Sequence, residues 1–524
     1  MKRKELLVLG LIACFAVLIR VWFLSKVEVV IPDEAYYIGM GQSLAEGKDY
    51  AGFSPNPFQR SEATKGKHHG QPLLPYLFSL AIGWGGDPVR TCQWVSVMAG
   101  LLTLFLFHFC AKSLCSVKEA LASDLFFCFL PFSIHYSILT MNHAVFNLFL
   151  VAAFFFVLKV QQSKRSLWAF LTGLTVWGAY LTRLEAFVFA ALLAFVGICF
   201  DWPGSRPERA TRFRWVMIFL ITFLVLSVPV WIWIRKTTGI WQLDWTDRRE
   251  TLTNLVNQWM APLQTSSALL PYEHSLVDLH PLLNVAGYYF RNLMRGWTNM
   301  TQALPLPVWI LIAFGGVEVF SRRNSSRQKT LLLAPFVFFP PFFYPVFGVE
   351  SRYFHPSLIF LTLFSGAGIR FLYEKVQLKR LTQVFCVALL VPGFLLGYRG
   401  VLLGFKEEPA ELKRLGEWIR SNYSTPQAFF LSDIRSCFYA GPACKRFVTV
   451  HEAKKHLAQG GEFKDFLRGE GVDLIIADTR YTKSLNPEFL FLLEAPPTYL
   501  KKIVEKTHGG EAVTLYELER DEGK

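Results

Sequence analysis

The sequence lacks the common signatures of a nucleotide-dependent enzyme. It has no Gly-rich nucleotide loop, no Walker pattern and no Gly-x-Ser-x-Gly elbow. It also shows no RNA- or DNA-binding motif, no internal repeat and no low-complexity tract. These absences argue against an enzyme that uses a cytoplasmic nucleotide, and no nucleic-acid partner is predicted.

Charged residues are scarce, at 18% of 524 residues, whereas 52% of the residues are hydrophobic and 16% are aromatic. A soluble protein of this size could not bury that much apolar surface, so the composition predicts a polytopic α-helical membrane protein. The net charge of +14 fits this class, because membrane proteins concentrate Lys and Arg in their short cytoplasmic loops.

Long apolar runs divide the chain into predicted membrane spans. The first, Leu6 to Leu24, follows the basic stretch "MKRKE" and has no small-residue cleavage site, so we expect a retained span with a cytoplasmic N-terminus. Further runs begin near residues 91, 119, 141, 167, 184, 215, 305, 331, 354 and 381. The sequence therefore predicts about eleven spans. Basic residues fall in alternate loops, which supports this order.

Three stretches are predicted to lie outside the membrane on the far side. Residues 25–90 contain the helical pattern "AYYIGMGQSLAEG" and the short apolar segment "GQPLLPYLFSLAIGWGG", which we expect to be interfacial helices. Residues 235–303 are rich in Trp, Asn and Gln, with surface helices predicted at "ETLTNLVNQWM" and "LLNVAGYYFRNLM". The third stretch is the C-terminal tail.

The tail predicts a small α/β domain. Strand-like "AFFLSD", "VDLIIAD" and "AVTLYELE" alternate with helical "PAELKRLGEWIRSNY" and "EFKDFLRGEG". We therefore expect a transmembrane catalytic domain over residues 1–403 and a periplasmic or lumenal α/β domain over residues 404–524.

Seven of the nine cysteines lie in apolar runs, where cysteine behaves as a small hydrophobic residue. The exceptions, Cys437 and Cys444, flank "FYAGPA", a Gly-Pro turn, on the side where disulfides persist. A hairpin disulfide is one interpretation, and two unpaired thiols are the other.

The adjacent carboxylates Asp33 and Glu34 follow the first span. One interpretation is a solvated helix start with Asp33 as N-cap. The other is catalytic, because a partly desolvated carboxylate at the membrane interface is a suitable general base. Pro32 fixes the backbone before the pair, and Tyr36 and Tyr37 follow it, which favours the catalytic interpretation.

Cationic groups precede the segment "GQPLLPYL". Lys67, His68 and His69 either anchor the chain to lipid headgroups or bind a phosphate or an acceptor. A divalent metal shared with Asp33 or Glu34 is a further alternative, and no other cofactor is predicted.

Three outer turns carry further candidates. "LTRLEA" places Arg183 and Glu185 between two apolar runs, where ionisable groups are costly and usually paired or functional. At this spacing the two side chains do not face each other on a helix, so each is expected to find another partner. The turn "GVESRYFHP" and the turn "TMNH" contribute the remaining candidates, which are Glu350, Arg352, Tyr353, His355, Asn142 and His143.

The order of "PDEAYY", "HHGQPLLPYL", "LTRLEA" and "SRYFHP" resembles the GT-C superfamily of membrane glycosyltransferases. The most similar branches are the protein O-mannosyltransferases and the bacterial transferases that add aminoarabinose or galacturonic acid to lipid A and core. The resemblance covers roughly residues 1 to 400. It implies a polyprenyl-phosphate sugar donor and a glycolipid, polysaccharide or protein acceptor.

The resemblance also implies roles for individual residues. Asp33, with Glu34 beside it, would act as catalytic base. Arg183, Arg352, Tyr353 and Lys67 would bind the donor phosphate. The remaining candidates, predicted to contact substrate, are His68, His69, Glu185, Asn142, His143, Glu350 and His355. Relatives often have Lys-Pro-Pro-Leu where this chain has "GQPL", and an Asp where it has Asn142 and His143.

Two other functions remain open from the sequence. A transporter or flippase for a lipid-linked substrate would explain the intramembrane charges, but it predicts repeated halves and ionisable groups near mid-membrane. A scaffold whose outer domain binds a partner is the third. We expect a bacterial inner membrane, with the endoplasmic-reticulum membrane as the alternative.

Overall fold

The computed structural model describes residues 3–27, 29–47, 72–199, 206–238, 281–321, 332–343, 351–374, 391, 394–395, 397–402, 410–431, 433, 435–479, 482, 487–508 and 511–519. Contacts divide the chain into two compact units. The helical unit comprises Met1–Trp22, Gly66–Leu73 and Ser96–Val401, and the mixed unit comprises Phe23–Lys65, Leu74–Val95 and Leu402–Lys524. Parts of the first outer stretch therefore group with the C-terminal tail, and the predicted boundary at residue 403 stays a prediction.

The described chain up to residue 374 forms helices, most of them from apolar runs, since a helix satisfies its own backbone hydrogen bonds away from water. In chain order they are α1 (Arg3–Leu24), α2 (Pro32–Ala45), α3 (Leu73–Ile82), α4 (Pro88–Leu114), α5 (Val117–Phe129), α6 (Pro131–Ile138), α7 (Asn142–Ser163), α8 (Ser166–Thr182), α9 (Ala186–Cys199), α10 (Arg206–Thr238), α11 (Pro281–Ala303), α12 (Leu306–Ser321), α13 (Ala334–Phe343), α14 (His355–Thr362) and α15 (Ser365–Glu374). A 3-10 helix, Ser351–Phe354, precedes α14.

Several of these helices are long and apolar enough to cross a membrane, which indicates a multi-pass membrane protein. Among the described residues, five helices have the length and the apolar composition of a membrane span. The number rises to seven if each of two bent helix pairs counts as one span. One bent pair is α5 with α6, where the axis turns by 59° at Pro131. A proline at the first position of α6 explains this break, because its ring prevents α5 from continuing. The predicted count of about eleven spans stays a prediction.

The mixed unit contains α2, α3 and a five-stranded sheet with its helices. The elements after residue 409 are α16 (Ala410–Asn422), β1 (Gln427–Leu431), α17 (Arg435–Ala440), β2 (Cys444–Thr449), α18 (Val450–Ala458), α19 (Phe463–Gly469), β3 (Leu474–Asp478), α20 (Phe491–Glu494), β4 (Leu500–His508) and β5 (Glu511–Leu518). The strand order is β2-β1-β3-β5-β4. β1 runs parallel to β2 and β3, whereas β5 runs antiparallel to β3 and β4.

Successive apolar side chains of the central strands point to opposite faces of the sheet, and both faces are buried. Phe430 of β1 packs with Phe463, Phe466 and the partner strands on one face. Its neighbour Phe429 packs on the other face against α16. Because side chains of a strand point alternately to opposite faces, both sides of the central strands are covered by helices. All five residues of β3 are buried.

The described elements agree with the predicted helices and strands of the tail, and they add two strands and three helices. β2 and β4 were not predicted, and neither were α17, α18 and α20. Cys437 and Cys444 form a disulfide with a Cα–Cα distance of 5.4 Å. The turn signal predicted a disulfide that closes a hairpin, and this detail is wrong. Cys437 lies in helix α17 and Cys444 begins strand β2.

Candidate functional site

Six of the predicted residues come together in the helical unit, where α8 ends and where α7 and α14 begin. Asn142 and His143 open α7, Arg183 and Glu185 follow α8, and Tyr353 and His355 precede and open α14. The charge pattern of the sequence predicts that these three turns lie on the same side of the membrane, and this stays a prediction. We call these six residues, with Tyr136 and Asn147, the turn cluster.

Arg183 and Glu185 form an ion pair in the break between α8 and α9. Nη2 of Arg183 lies 3.0 Å from Oε1 of Glu185, and Nε donates to Oε2 at 3.4 Å. The expectation that the two side chains do not face each other is wrong, because this segment is not helical. Arg183 has extended backbone angles, φ −153° and ψ 129°, and α9 begins only at Ala186.

The guanidinium of Arg183 is also held by aromatic residues. Its Nη1 lies 3.1 Å from Nδ1 of His143. Its Cζ lies 5.5 Å from the ring centre of Phe146 and 5.4 Å from that of Tyr353. Arg183 is only 5% exposed and Glu185 only 2% exposed. A cation at this burial needs such partners, and the faces of the rings provide electrostatic stabilisation as well as packing.

Tyr136 connects the two halves of the turn cluster. Its ring centre lies 5.0 Å from that of His143 and 4.7 Å from that of His355. Sequence reasoning missed Tyr136, although "PFSIHYSI" carries polar residues and a Pro within an apolar run. It also missed Asn147, whose amide nitrogen lies 2.8 Å from Nδ1 of His355.

Two buried polar atoms of this cluster have no hydrogen-bond partner in the described part of the chain. They are Nε2 of His355 and Oδ1 of Asn147. With the amide of Asn147 donating to Nδ1, the proton of a neutral His355 ring lies on Nε2. One buried donor and one buried acceptor are thus left unpaired, and such groups in a native structure require an explanation.

Asp33 and Glu34 differ sharply in environment within the mixed unit. Glu34 is fully buried and accepts a hydrogen bond from the backbone N–H of Ile31 at 2.9 Å. Asp33 is exposed, in the first turn of α2. The N-cap of this helix is Ile31, so the assignment of Asp33 as N-cap is wrong, whereas the solvated helix start expected by the same interpretation is confirmed. Glu34 fixes the helix start. Because Asp33 is exposed, the partial desolvation on which the catalytic interpretation rested is not observed at this carboxylate, and its role as proton acceptor stays a prediction.

Several predicted site residues lie outside the described residues. They are Lys67, His68, His69 and Glu350. Arg352 is described as part of the 3-10 helix, but its side chain is not. Within the described ranges, no group of three His, Cys, Asp or Glu side chains is placed to hold a metal ion. The alternative of a divalent metal at His68 or His69 stays a prediction.

The helical unit also buries charged groups that sequence reasoning missed. Arg20 of α1 is 1% exposed, and its Nε donates to Ser137 Oγ at 2.7 Å. His108 of α4 lies 2.6 Å from Oδ2 of Asp124 and 3.2 Å from Oε1 of Glu5. Each is a single polar residue within an apolar run, which is the only signal the sequence offers.

Comparison with known proteins identifies solved structures with a similar fold. No protein-family model and no curated protein matches the sequence. Among solved structures, ArnT from Cupriavidus metallidurans bound to undecaprenyl phosphate is similar, with a TM-score of 0.59 and 12% identity over 97% of each chain. The archaeal oligosaccharyltransferase AglB from Archaeoglobus fulgidus, in complex with an inhibitory peptide and a dolichol-phosphate, gives a TM-score of 0.56 at 12% identity. That match covers 100% of this chain and 75% of AglB.

These structural neighbours are GT-C glycosyltransferases. The resemblance predicted from the order of the motifs is therefore confirmed at the level of the fold. The TM-scores show a shared fold, and at 12% identity the likeness shows nothing beyond the fold, so the chemistry must be argued from the residues of this chain.

Proposed function

We propose that the chain is an integral-membrane inverting glycosyltransferase. It moves a sugar from a polyprenyl-phosphate carrier to an acceptor hydroxyl of a glycolipid, polysaccharide or protein on the extracytoplasmic side. Two similar structures contain a polyprenyl-type phosphate, namely undecaprenyl phosphate and dolichol-phosphate, which supports a donor of this class.

The observation that carries this proposal is the convergence of the turn cluster. Three turns far apart in sequence bring a guanidinium, two imidazoles and a tyrosine ring together beside Glu185. Their predicted location on one side of the membrane suits a lipid carrier, whose phosphate lies at the interface while its tail stays among the lipids.

In the proposed mechanism the acceptor hydroxyl attacks the anomeric carbon of the donor sugar. Asp33 accepts the hydroxyl proton as general base, and the bond between the anomeric carbon and the phosphate oxygen breaks in the same step. Arg183, Arg352 and Tyr353 stabilise the negative charge of the departing polyprenyl phosphate. One displacement inverts the anomeric configuration.

Arg183 contributes to this step from a preorganised position. Because Glu185 and His143 fix its guanidinium, its direction is set before the donor binds. We assign Glu185 and His143 to the orientation of Arg183, and Asn142 and His355 to contacts with the substrate. Lys67, His68, His69 and Glu350 retain their predicted roles in binding donor or acceptor.

The test is sugar transfer by the purified protein in proteoliposomes, using undecaprenyl-phosphate donors that carry mannose, galacturonic acid or aminoarabinose and an envelope lipid extract as acceptor. Asp33→Asn should abolish transfer while membrane insertion and thermal stability stay unchanged. The matched control is Asp465→Asn, which also removes an exposed carboxylate from the first turn of a helix. Wild-type transfer by Asp33→Asn would contradict the mechanism.

The alternative function is a transporter or flippase for a lipid-linked substrate. The buried Arg20, His108 and Asp124 favour it, because transport pathways use ionisable groups inside the membrane. The two functions separate in one experiment. A flippase would move a fluorescent polyprenyl phosphate across the bilayer without an acceptor, and the wild-type protein itself would transfer no sugar.

We further propose a multi-pass location in a bacterial inner membrane, with the N-terminus cytoplasmic and the C-terminal α/β segment periplasmic. The basic loops and the disulfide support this orientation, because disulfides persist outside the cytoplasm. Alkaline phosphatase fused after residue 524 should be active, and loss of that activity would contradict the orientation.

A further inference from the structure

A polar cavity lies wholly within the mixed unit, apart from the turn cluster. Its volume is about 340 Å³, which falls within the size range of small-ligand sites. The start of α4, helix α16 and helix α17 contribute to its walls. The side chains that give it its chemistry are Arg90, Lys413, Glu417, Arg420, Phe438 and Tyr439.

The charges on these walls favour an anionic ligand. Three cations, Arg90, Lys413 and Arg420, and two carboxylates, Asp87 and Glu417, line the cavity. Nη1 of Arg90 already donates to the carbonyl oxygen of Leu24 at 2.8 Å and to Oε1 of Gln93 at 3.0 Å. Asp87 is engaged with its own helix, because its two oxygens accept from the backbone N–H groups of residues 89 and 90 at 3.4 and 3.3 Å. The guanidinium of Arg420 has neither a hydrogen bond nor an ion pair with any described residue. An anion entering the cavity therefore meets an exposed guanidinium that has no protein partner among the described residues.

The other groups suit a ligand with many hydroxyls. The hydroxyl of Tyr439 accepts a hydrogen bond from the backbone N–H of Val30 at 2.9 Å and keeps its own proton to donate. Burial, with the nearby charge of Glu34, raises the pKa of Tyr439 to about 12, so this donor persists at neutral pH. The carboxylate of Glu417 is an acceptor, and Phe438 and Tyr439 add aromatic surface. Such a mixture of donors, acceptors and rings fits a sugar better than a hydrocarbon.

The cavity is built before any ligand arrives. α16 and α17 approach so closely that a Cβ at Gly416 would lie 2.5 Å from the carbonyl oxygen of Ser436. The disulfide ties α17 to the start of β2, seven residues on. The aromatic wall from α17 and the charged wall from α16 are thus held in a fixed relation, which lowers the entropic cost of binding.

We propose that this cavity binds a negatively charged saccharide, and that the acceptor of the transfer carries such a sugar. The first part depends only on the cavity, whereas the second rests on the proposed function. The acceptor class is then an anionic glycan or glycolipid, bearing a phosphate or a carboxylate on the recognised sugar, with Arg420 as its main ionic partner.

The experiment measures binding of small probes to the full-length protein in nanodiscs by isothermal titration calorimetry. The anionic probes are glucose 6-phosphate and galacturonate, the neutral probe is glucose, and inorganic phosphate tests for a bare anion. Arg420→Gln should weaken the anionic probes by roughly tenfold or more, since one charge-assisted hydrogen bond is lost. The matched control is Arg414→Gln, an exposed cation of the same helix that does not line the cavity.

Each arm has a decisive outcome. Equal affinity for glucose and glucose 6-phosphate would overturn the ionic part, and equal affinity for inorganic phosphate would overturn the saccharide part. Unchanged binding by Arg420→Gln would overturn the assignment to this cavity. Transfer without binding of either anionic probe would reject the cavity and keep the proposed function. Binding that depends on Arg420, without transfer, would reject the enzyme and keep the saccharide site.

Discussion

Arg183 and Glu185 stand two residues apart and form a buried ion pair, with Nη2 and Oε1 at 3.0 Å. Two residues of one helix could not meet in this way, because their side chains point about 200° apart around the axis. The pair exists because the chain is extended at Arg183 between two helices. Its burial makes it both a candidate for function and an element of stability.

Removing one partner of this ion pair should lower the stability of the fold more than removing both partners. Arg183→Met leaves the carboxylate of Glu185 without its guanidinium, and such a change typically costs about 3–5 kcal/mol. Arg183→Met combined with Glu185→Leu removes both charges and should recover much of the loss. Thermal unfolding in detergent measures the stability of the wild type and of both variants. A double variant that is no more stable than Arg183→Met would contradict this prediction.

The same variants separate stability from function. If Arg183 binds the donor phosphate, the double variant regains thermal stability but still fails to bind undecaprenyl phosphate. A double variant that binds this lipid as the wild type does would reduce the pair to a structural role.

The unpaired atoms of His355 and Asn147 predict a ligand contact. Replacing both residues by apolar groups of similar shape, His355→Phe with Asn147→Leu, removes the unsatisfied donor and acceptor together. Such replacements are often neutral or stabilising for the fold. The phenyl ring also keeps the contact with Tyr136. We therefore expect unchanged or higher thermal stability and a strong loss of sugar transfer. Full transfer by a stable double variant would show that the pair is only structural.

The sequence predicted the spans and turns better than the contacts between them. Long apolar runs and the position of Arg and Lys located most helices, because membrane insertion depends directly on these properties. The ion pair of Arg183 with Glu185 was predicted wrongly, since a continuing helical direction was assumed across the turn. Tyr136 and Asn147 enter the cluster only through packing of separate helices, which no local pattern specifies.

The C-terminal sheet shows the same limit. β1, β3 and β5 were predicted from their apolar patterns, and they are the three inner strands. The missed strands, β2 and β4, are the two edges of the sheet and have the polar sequences "CKRFVT" and "LKKIVEKTH". Edge strands commonly carry lysine, which discourages pairing with other chains and weakens the pattern that identifies a strand.

Glu34 should matter for the start of α2 and Asp33 should not. Glu34 is fully buried and its carboxylate accepts from the N–H of Ile31. Glu34→Ala should therefore lower thermal stability by an amount comparable to the loss of a helix cap, about 0.5–2 kcal/mol. Asp33→Asn, on the exposed side, should stay within about 0.5 kcal/mol of the wild type. The reverse order in a thermal unfolding series would contradict this division of roles.

Gly100 of α4 is predicted to be essential for packing. A Cβ at this position would lie 2.7 Å from Cβ of Ser137 and 3.7 Å from Nε of Arg20. Gly100→Ala should therefore displace Ser137 and weaken the hydrogen bond that its hydroxyl oxygen accepts from Nε of Arg20. The variant should have lower thermal stability and lower expression in the membrane. The matched control is Gly10→Ala in α1, where nothing lies within 4 Å of the added Cβ. Equal stability of the two variants would contradict this packing.

The disulfide between Cys437 and Cys444 is predicted to stabilise the mixed unit. The two cysteines are seven positions apart in the sequence, and closing so short a loop in the unfolded chain contributes about 2–3 kcal/mol in the chain-entropy model. Alkylation in denaturant without reductant, followed by mass spectrometry, should leave both cysteines unmodified, whereas modification of both would show unpaired thiols. Cys437→Ser with Cys444→Ser should lower thermal stability. Because the bridge also fixes the helix that carries Phe438 and Tyr439, the same variant should bind glucose 6-phosphate more weakly. The matched control, Cys14→Ser, removes a cysteine that is exposed and unbridged and should change neither property.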